Sequence, residues 1–142
     1  MRQCEKVNQW SVKNNVIITN IIGPKNYVVN TEGCDYLSFK NLTISSGVTN
    51  AIIIEGQSNY FSIEGCNIEG PKSGNNYLVY NAGNDDPDNN ITLKNNEFHY
   101  GYYGVYFNNN YFVLPREKHI TITGNIFDSI QYSAIYLFNS SD

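Results

Sequence analysis

The phrase at Ile91–Phe98, ITLKNNEF, returns almost unchanged at Ile120–Phe127 as ITITGNIF. Looser copies begin at Leu37 (LSFKNLTI), Phe61 (FSIEGCNI) and Val16 (VIITNIIG). The starts at 16, 37, 61, 91 and 120 leave intervals of 21, 24, 30 and 29 residues, yet the register inside each copy holds. A fixed phrase at a loosely fixed interval is the mark of a repeat architecture, and it restricts the fold more than any other feature of the chain.

Aligned by column, the copies state their own geometry. The first column (Val16, Leu37, Phe61, Ile91, Ile120) and the third (Ile18, Phe39, Ile63, Leu93, Ile122) are wholly apolar, with mostly polar residues between them. That alternation turns one face of a short strand toward a core. The fifth column holds only Asn and Gly (Asn20, Asn41, Gly65, Asn95, Gly124). These residues best tolerate positive φ, so the column predicts a left-handed corner. The eighth column is apolar again at Ile44, Ile68, Phe98 and Phe127, with Gly23 the exception. In the sixth, Asn96 and Asn125 are expected to pair across coils, above Cys66, Leu42 and Ile21. Each phrase is followed by a run rich in β-branched and aromatic residues: Asn26–Val29, Ala51–Ile54, Tyr77–Tyr80, Gly104–Phe107 and Ala134–Leu137. No segment carries a convincing helical period.

One architecture satisfies these columns. Each repeat is a coil of strand, Asn/Gly corner, strand, loop, strand and loop, and equivalent strands of successive coils stack in parallel. The chain is expected to be all-β, a parallel β-helix solenoid of about five coils. It reads as one domain over 1–142, with 1–15 a weak or capping segment and 16–142 the stacked coils. Insertions fall in loops and leave the core register alone.

Composition narrows function by exclusion. The net charge of −4 and pI of about 5.0 give no reason to expect nucleic acid and no basic face for anionic lipid. No apolar stretch is long enough to span a membrane. Met1–Asn15 lacks the apolar segment of a signal peptide, so the chain either stays inside the cell or is an internal piece of a longer exported one. Only 15% of residues are charged, a common trait of bacterial extracellular proteins. Cys4, Cys34 and Cys66 show no CxxC spacing and read as isolated thiols, with Cys66 close to the core.

The phrases ITLKNNEF…GVYF and ITITGNIF…AIYL resemble the repeats of right-handed parallel β-helix proteins, the broad pectate-lyase-like superfamily. YLSFKNLTISSG and NNEFHYGYYGVYF are similar in style to the large secreted or surface β-helix proteins of Bacteroidetes-type bacteria. The resemblance covers roughly Val16 to Phe138. It implies right-handed coiling and an extracellular or cell-surface location. It leaves activity open among polysaccharide lyases, glycoside hydrolases, epimerases and adhesins. Members usually have more coils and capped ends, so a segment of a longer solenoid is expected, or end-to-end self-association that covers open rungs.

Several residues are candidates for chemistry. Asp85, Asp86 and Asp88 crowd one loop and are candidate Ca²⁺ ligands, although DDPDNN is also a solvated-turn sequence. The resemblance implies that a lyase would use Arg or Lys as the base α to a uronate carboxylate. Arg116 and Lys118 are the candidates, and Glu117 beside them could join an aspartate as a hydrolase pair. Asp88 lies three residues before Ile91 and Arg116 four before Ile120, so the two loops should sit about one rung, ~4.8 Å, apart. Tyr100, Tyr102, Tyr103 and Tyr111 cannot all point inward, and exposed rings beside Asn are what sugar-binding faces use. Trp10 is placed over the open end, and His99 and His119 are isolated. Two functions follow. The favoured one is a glycan-binding, adhesive or structural segment of a surface β-helix protein without catalysis of its own. The alternative is part of a polysaccharide lyase or glycoside hydrolase.

Overall fold

The structure, a computed structural model, describes residues 16–19, 25–47, 49–81, 88–108 and 118–138. Of Lys118 only the backbone is described. A partial first coil contributes β1 (Ile17–Thr19) and β2 (Tyr27–Asn30). Four complete coils follow. They are β3 (Ser38–Lys40), β4 (Thr43–Ser45) and β5 (Asn50–Ile54); β6 (Ser62–Glu64), β7 (Asn67–Glu69) and β8 (Tyr77–Asn81); β9 (Asn89–Lys94), β10 (Glu97–His99) and β11 (Tyr103–Asn108); and β12 (Lys118–Thr123), β13 (Ile126–Asp128) and β14 (Ser133–Phe138). No helix occurs among the described residues, and none is long and apolar enough to cross a membrane.

Like strands of successive coils pair in parallel and form three sheets. The first is β1-β4-β7-β10-β13, the second β14-β11-β8-β5-β2 and the third β12-β9-β6-β3. The phrase repeats because each copy makes the same turn from the third sheet into the first. Phe39, Ile63, Leu93 and Ile122 stand one above another, as do Ile91 and Ile120. Backbone bonds from Ser62 N–H to the Leu37 carbonyl and from Thr92 N–H to the Phe61 carbonyl, both 2.9 Å, extend that first column downward. Ile44, Ile68, Phe98 and Phe127 form the eighth column on the first sheet, with Phe98 and Phe127 stacked at 4.7 Å. The second sheet closes the interior with Ile52, Ile54, Leu78, Val79, Val105 and Phe107, all fully buried. Each such side chain contributes about 1.5–3 kcal/mol relative to exposure.

The corner column is left-handed as expected: φ is 53° at Asn41, 63° at Gly65, 54° at Asn95 and 64° at Gly124. Packing explains why Asn and Gly share it. A Cβ at Gly65 would lie 2.5 Å from Asn41 Oδ1, and one at Gly124 would collide with Asn95 Oδ1. An Asn side chain therefore occupies the room that a Cβ on the glycine of the next coil would need. One column on, Asn125 Oδ1 accepts from the Asn96 backbone N–H (2.8 Å) and from its Nδ2 (3.0 Å). Asn96 in turn accepts from Cys66 N–H at 2.9 Å and donates to the Ile63 carbonyl at 2.9 Å. The expected Asn pair is thus formed, and it satisfies backbone groups at a buried turn.

Two expectations are corrected. The weak copy at Val16 is out of register: Ile18 pairs with Ile44 on the first sheet, not with Phe39 on the third. It fills the eighth column, where Gly23 had been the exception, and the copy is displaced by five positions. Its short, all-apolar VII run lacked the alternation that locks register elsewhere. Second, Cys34 is disulfide-bonded, not an isolated thiol. Cys66 is free and buried, and burial raises its thiol pKa. Cys4 and Trp10 lie outside the described residues.

A second left-handed column precedes each phrase, at Tyr36, Tyr60, Asn90 and His119, with φ between 57° and 60°. Two of the four are tyrosines, which disfavour this region. They compensate in part by stacking on each other at 4.7 Å.

Candidate functional site: a tyrosine face on the second sheet

The second sheet does not simply alternate. In β8, Tyr77 and Tyr80 face outward with two fully buried residues, Leu78 and Val79, between them, and the two rings stack at 4.5 Å. Both flanking side chains therefore reach the same outer face. Register repeats the pattern along the axis. Tyr103 lies above Tyr77, and Tyr80, Tyr106 and Tyr136 form one column. Tyr102 and Tyr132, from the loops before β11 and β14, extend the array sideways.

The seven rings touch continuously. Tyr106 and Tyr136 are 4.7 Å apart and 8° from parallel, Tyr77 and Tyr103 5.3 Å and 18°, Tyr102 and Tyr132 5.2 Å and 15°. Tyr103 meets Tyr106 edge-on at 4.8 Å. Rings stacked rung on rung cover one another's faces, so the surface presents ring edges and hydroxyl tips. Asn108 Nδ2 donates to Tyr106 Oη at 3.3 Å. No hydroxyl of the array is a buried orphan among the described residues. Desolvation, and then the neighbouring phenols, raise the pKa of Tyr77 and Tyr103; Tyr80 is raised by burial, by Tyr77 and Tyr106, and by the Glu55 carboxylate. The Tyr77, Tyr80 and Tyr103 phenols are therefore neutral hydrogen-bond donors and acceptors at neutral pH.

The structure distributes the sequence candidates unevenly. Tyr102 and Tyr103 belong to this array. Tyr100 follows β10 beside the first sheet, where Lys72 Nζ sits 4.9 Å from its ring centre. Tyr111 lies outside the described residues, as do Arg116, Glu117, Asp85 and Asp86 and the side chain of Lys118. Asp88 is only 3% exposed. Its carboxylate accepts from the Ser58 backbone N–H and, at 2.7 Å, from Asn81 Nδ2. Ser58 Oγ continues to Thr31 Oγ1 at 2.6 Å, which makes a buried polar column Thr31–Ser58–Asp88 between the second and third sheets. Burial pushes the Asp88 pKa up to about 6; the bonds from Ser58 and Asn81 pull it down, and the Asp35 carboxylate raises it. Among the described residues no three His, Cys, Asp or Glu side chains converge as a metal site.

Sequence reading missed Tyr77, Tyr80, Tyr106, Tyr132 and Tyr136. Part of their signal was present: GVYF and AIYL carry Tyr at one shared position, and YLVY reaches the same column one residue later, with two buried residues rather than one between Tyr77 and Tyr80. The other outer faces differ in chemistry. On the third sheet, Glu64 bridges Lys40 (3.1 Å) and Lys94 (3.7 Å), which hold its carboxyl pKa low, Lys40 foremost. On the first, His99 lies 3.3 Å from Glu97 and 3.5 Å from Asp128.

Comparison with known proteins agrees with this geometry. A family model described as right handed beta helix region matches residues 27–142. No curated protein and no solved structure matches the chain. A match over most of the chain, joined to three parallel sheets and four complete coils, places the protein: it belongs to the right-handed beta helix family.

Proposed function

We propose that this chain is a non-catalytic, glycan-binding module of an extracellular or cell-surface β-helix protein, and that the tyrosine face of the second sheet is its contact surface. One observation carries the reading: seven tyrosines form an unbroken outward array on a rigid sheet. Amphipathic rings held in place supply contact area at little cost in conformational entropy. Export is supported by the disulfide at Cys34 and by the sparse surface charge. The lyase or hydrolase reading depends on Arg116, Lys118, Glu117, Asp85, Asp86 and Asp88, of which only Asp88 has a described side chain, and that one is buried. The direct test is electrophoresis through gels cast with soluble polysaccharides. At least one polymer is expected to slow the protein, and the triple variant Tyr80→Ala, Tyr106→Ala, Tyr136→Ala should run unretarded. A triple variant slowed as much as the parent chain would defeat the assignment.

A second reading concerns association. β14 pairs on one side only among the described residues, and its Ile135 and Leu137 are 42% and 46% exposed. We propose that this rung is covered by another rung, from a second copy or from further chain. Sedimentation velocity across a concentration series tests the first of these, with Leu137→Glu expected to abolish any self-association.

A further inference from the structure

We infer that the ligand of the tyrosine face is a neutral polysaccharide lying along the solenoid axis and held chiefly by tyrosine hydroxyls; this rests on the glycan reading above and narrows it. Three observations point the same way.

The first is charge. Both cation–ring contacts among the described residues, Lys25 over Tyr27 and Lys72 over Tyr100, involve rings outside the array. Tyr27 stands two rungs below Tyr77 in the same sheet, with Asn50 between. Among the described residues no ion pair and no cation–ring contact falls within the array, so a uronate polymer would gain no charge pairing from them, whereas a neutral sugar needs none.

The second is orientation. Tyr106 and Tyr136 lie nearly parallel at one ring per rung, and Tyr77 and Tyr103 do the same. The faces that meet between rungs are occupied by each other, and Tyr136 on the last rung is 37% exposed. A sugar laid on this surface meets edges and hydroxyls, so hydrogen bonds to its own hydroxyls dominate over stacking on a ring face. Each hydroxyl can both donate to and accept from a sugar hydroxyl.

The third is repetition. Tyr80, Tyr106 and Tyr136 recur at 5.7 and 4.7 Å along the axis. A ligand that presents the same hydroxyl pattern to each rung must itself repeat along that line. Each further rung engaged then adds affinity at the high effective concentration of a tethered site.

The experiment compares a soluble neutral β-glucan, a galactomannan and polygalacturonate by titration calorimetry at neutral pH. The proteins are the parent chain and the triple variant Tyr80→Phe, Tyr106→Phe, Tyr136→Phe, which keeps the rings and removes the hydroxyls. The expected result is binding to a neutral polymer and none to polygalacturonate. Affinity should rise with oligosaccharide length over at least three sugars. The Phe variant should bind about tenfold or more weakly with an unchanged unfolding midpoint. Binding of polygalacturonate that matches or exceeds that of the neutral polymers, and is lost in the Ala triple, overturns this inference and leaves the glycan reading standing. Full binding by the Phe variant with loss in the Ala variant likewise overturns the hydroxyl row alone. Binding of no polymer defeats both.

Discussion

The second and third sheets wall the same core yet face solvent with different chemistry. Inside, each offers a column of buried aliphatic and aromatic side chains: Ile63 and Leu93 on one, Val79 and Val105 on the other. Outside, the third carries a Lys40–Glu64–Lys94 ladder and the second carries tyrosines. The contrast teaches that inner columns fix the coil while outer columns are free to specialise, because side chains on the outside pay no packing constraint for the coil's path.

The comparison breaks first if the two interiors are not equivalent. Leu93→Ala on the third sheet and Phe107→Ala on the second should each destabilise by about 3–5 kcal/mol, read as a fall in the urea midpoint with unchanged slope. A loss confined to one of them would mean that the sheets do not share one cooperative core.

The seam between the sheets gives the next largest effect. Asp88 has its folded pKa raised to about 6, above the ordinary carboxylate value of 3.8. Folding therefore favours its protonated form. The contribution is fully present below about pH 4 and lost as pH rises through 6, amounting to roughly 3 kcal/mol at most. Urea midpoints taken between pH 4 and 7 should fall with rising pH at this position, and Asp88→Asn should remove that part of the slope. A midpoint profile identical in the variant would sink the assignment.

The corner is a smaller test. Asn96→Ala strands the Cys66 N–H and the Ile63 carbonyl and should cost about 2 kcal/mol. The smallest effects belong to the outer faces. Glu64→Gln leaves an exposed ladder without its shared anion and should not move the midpoint measurably. Tyr106→Phe should be equally silent in stability while weakening polymer binding, which is the sharpest form of the contrast between the two surfaces.

The core was legible because the phrase places apolar residues at fixed offsets around a corner that only Asn and Gly fill, so Phe39, Ile63, Leu93 and Ile122 could be aligned by eye. The first copy misled because VII satisfies either register, and only pairing with Thr43–Ser45 decides between them. The column of Tyr36 and Tyr60 was hidden by propensity: tyrosine is a poor predictor of positive φ, and the neighbouring coil imposes it. The tyrosine face was half visible. Tyr102 and Tyr103 stood out in a dense run, but Tyr77 and Tyr80 flank two consecutive buried residues, which defeats the period-two rule for outward residues. The Asp88 column escaped because Ser58 and Asp88 each lie three residues before the first column whereas Thr31 lies six before it, so the three do not line up in the sequence.

From Leu37 to Phe61 the chain takes 24 residues, and from Phe61 to Ile91 it takes 30, yet Ile63 and Leu93 stack as evenly as Phe39 and Ile63. The additional six residues leave the register of the stacked columns unchanged. Pitch is thus uncoupled from the amount of polypeptide spent per circuit, and an in-frame duplication or deletion within a connector leaves every other coil in place, without compensating change elsewhere in the gene.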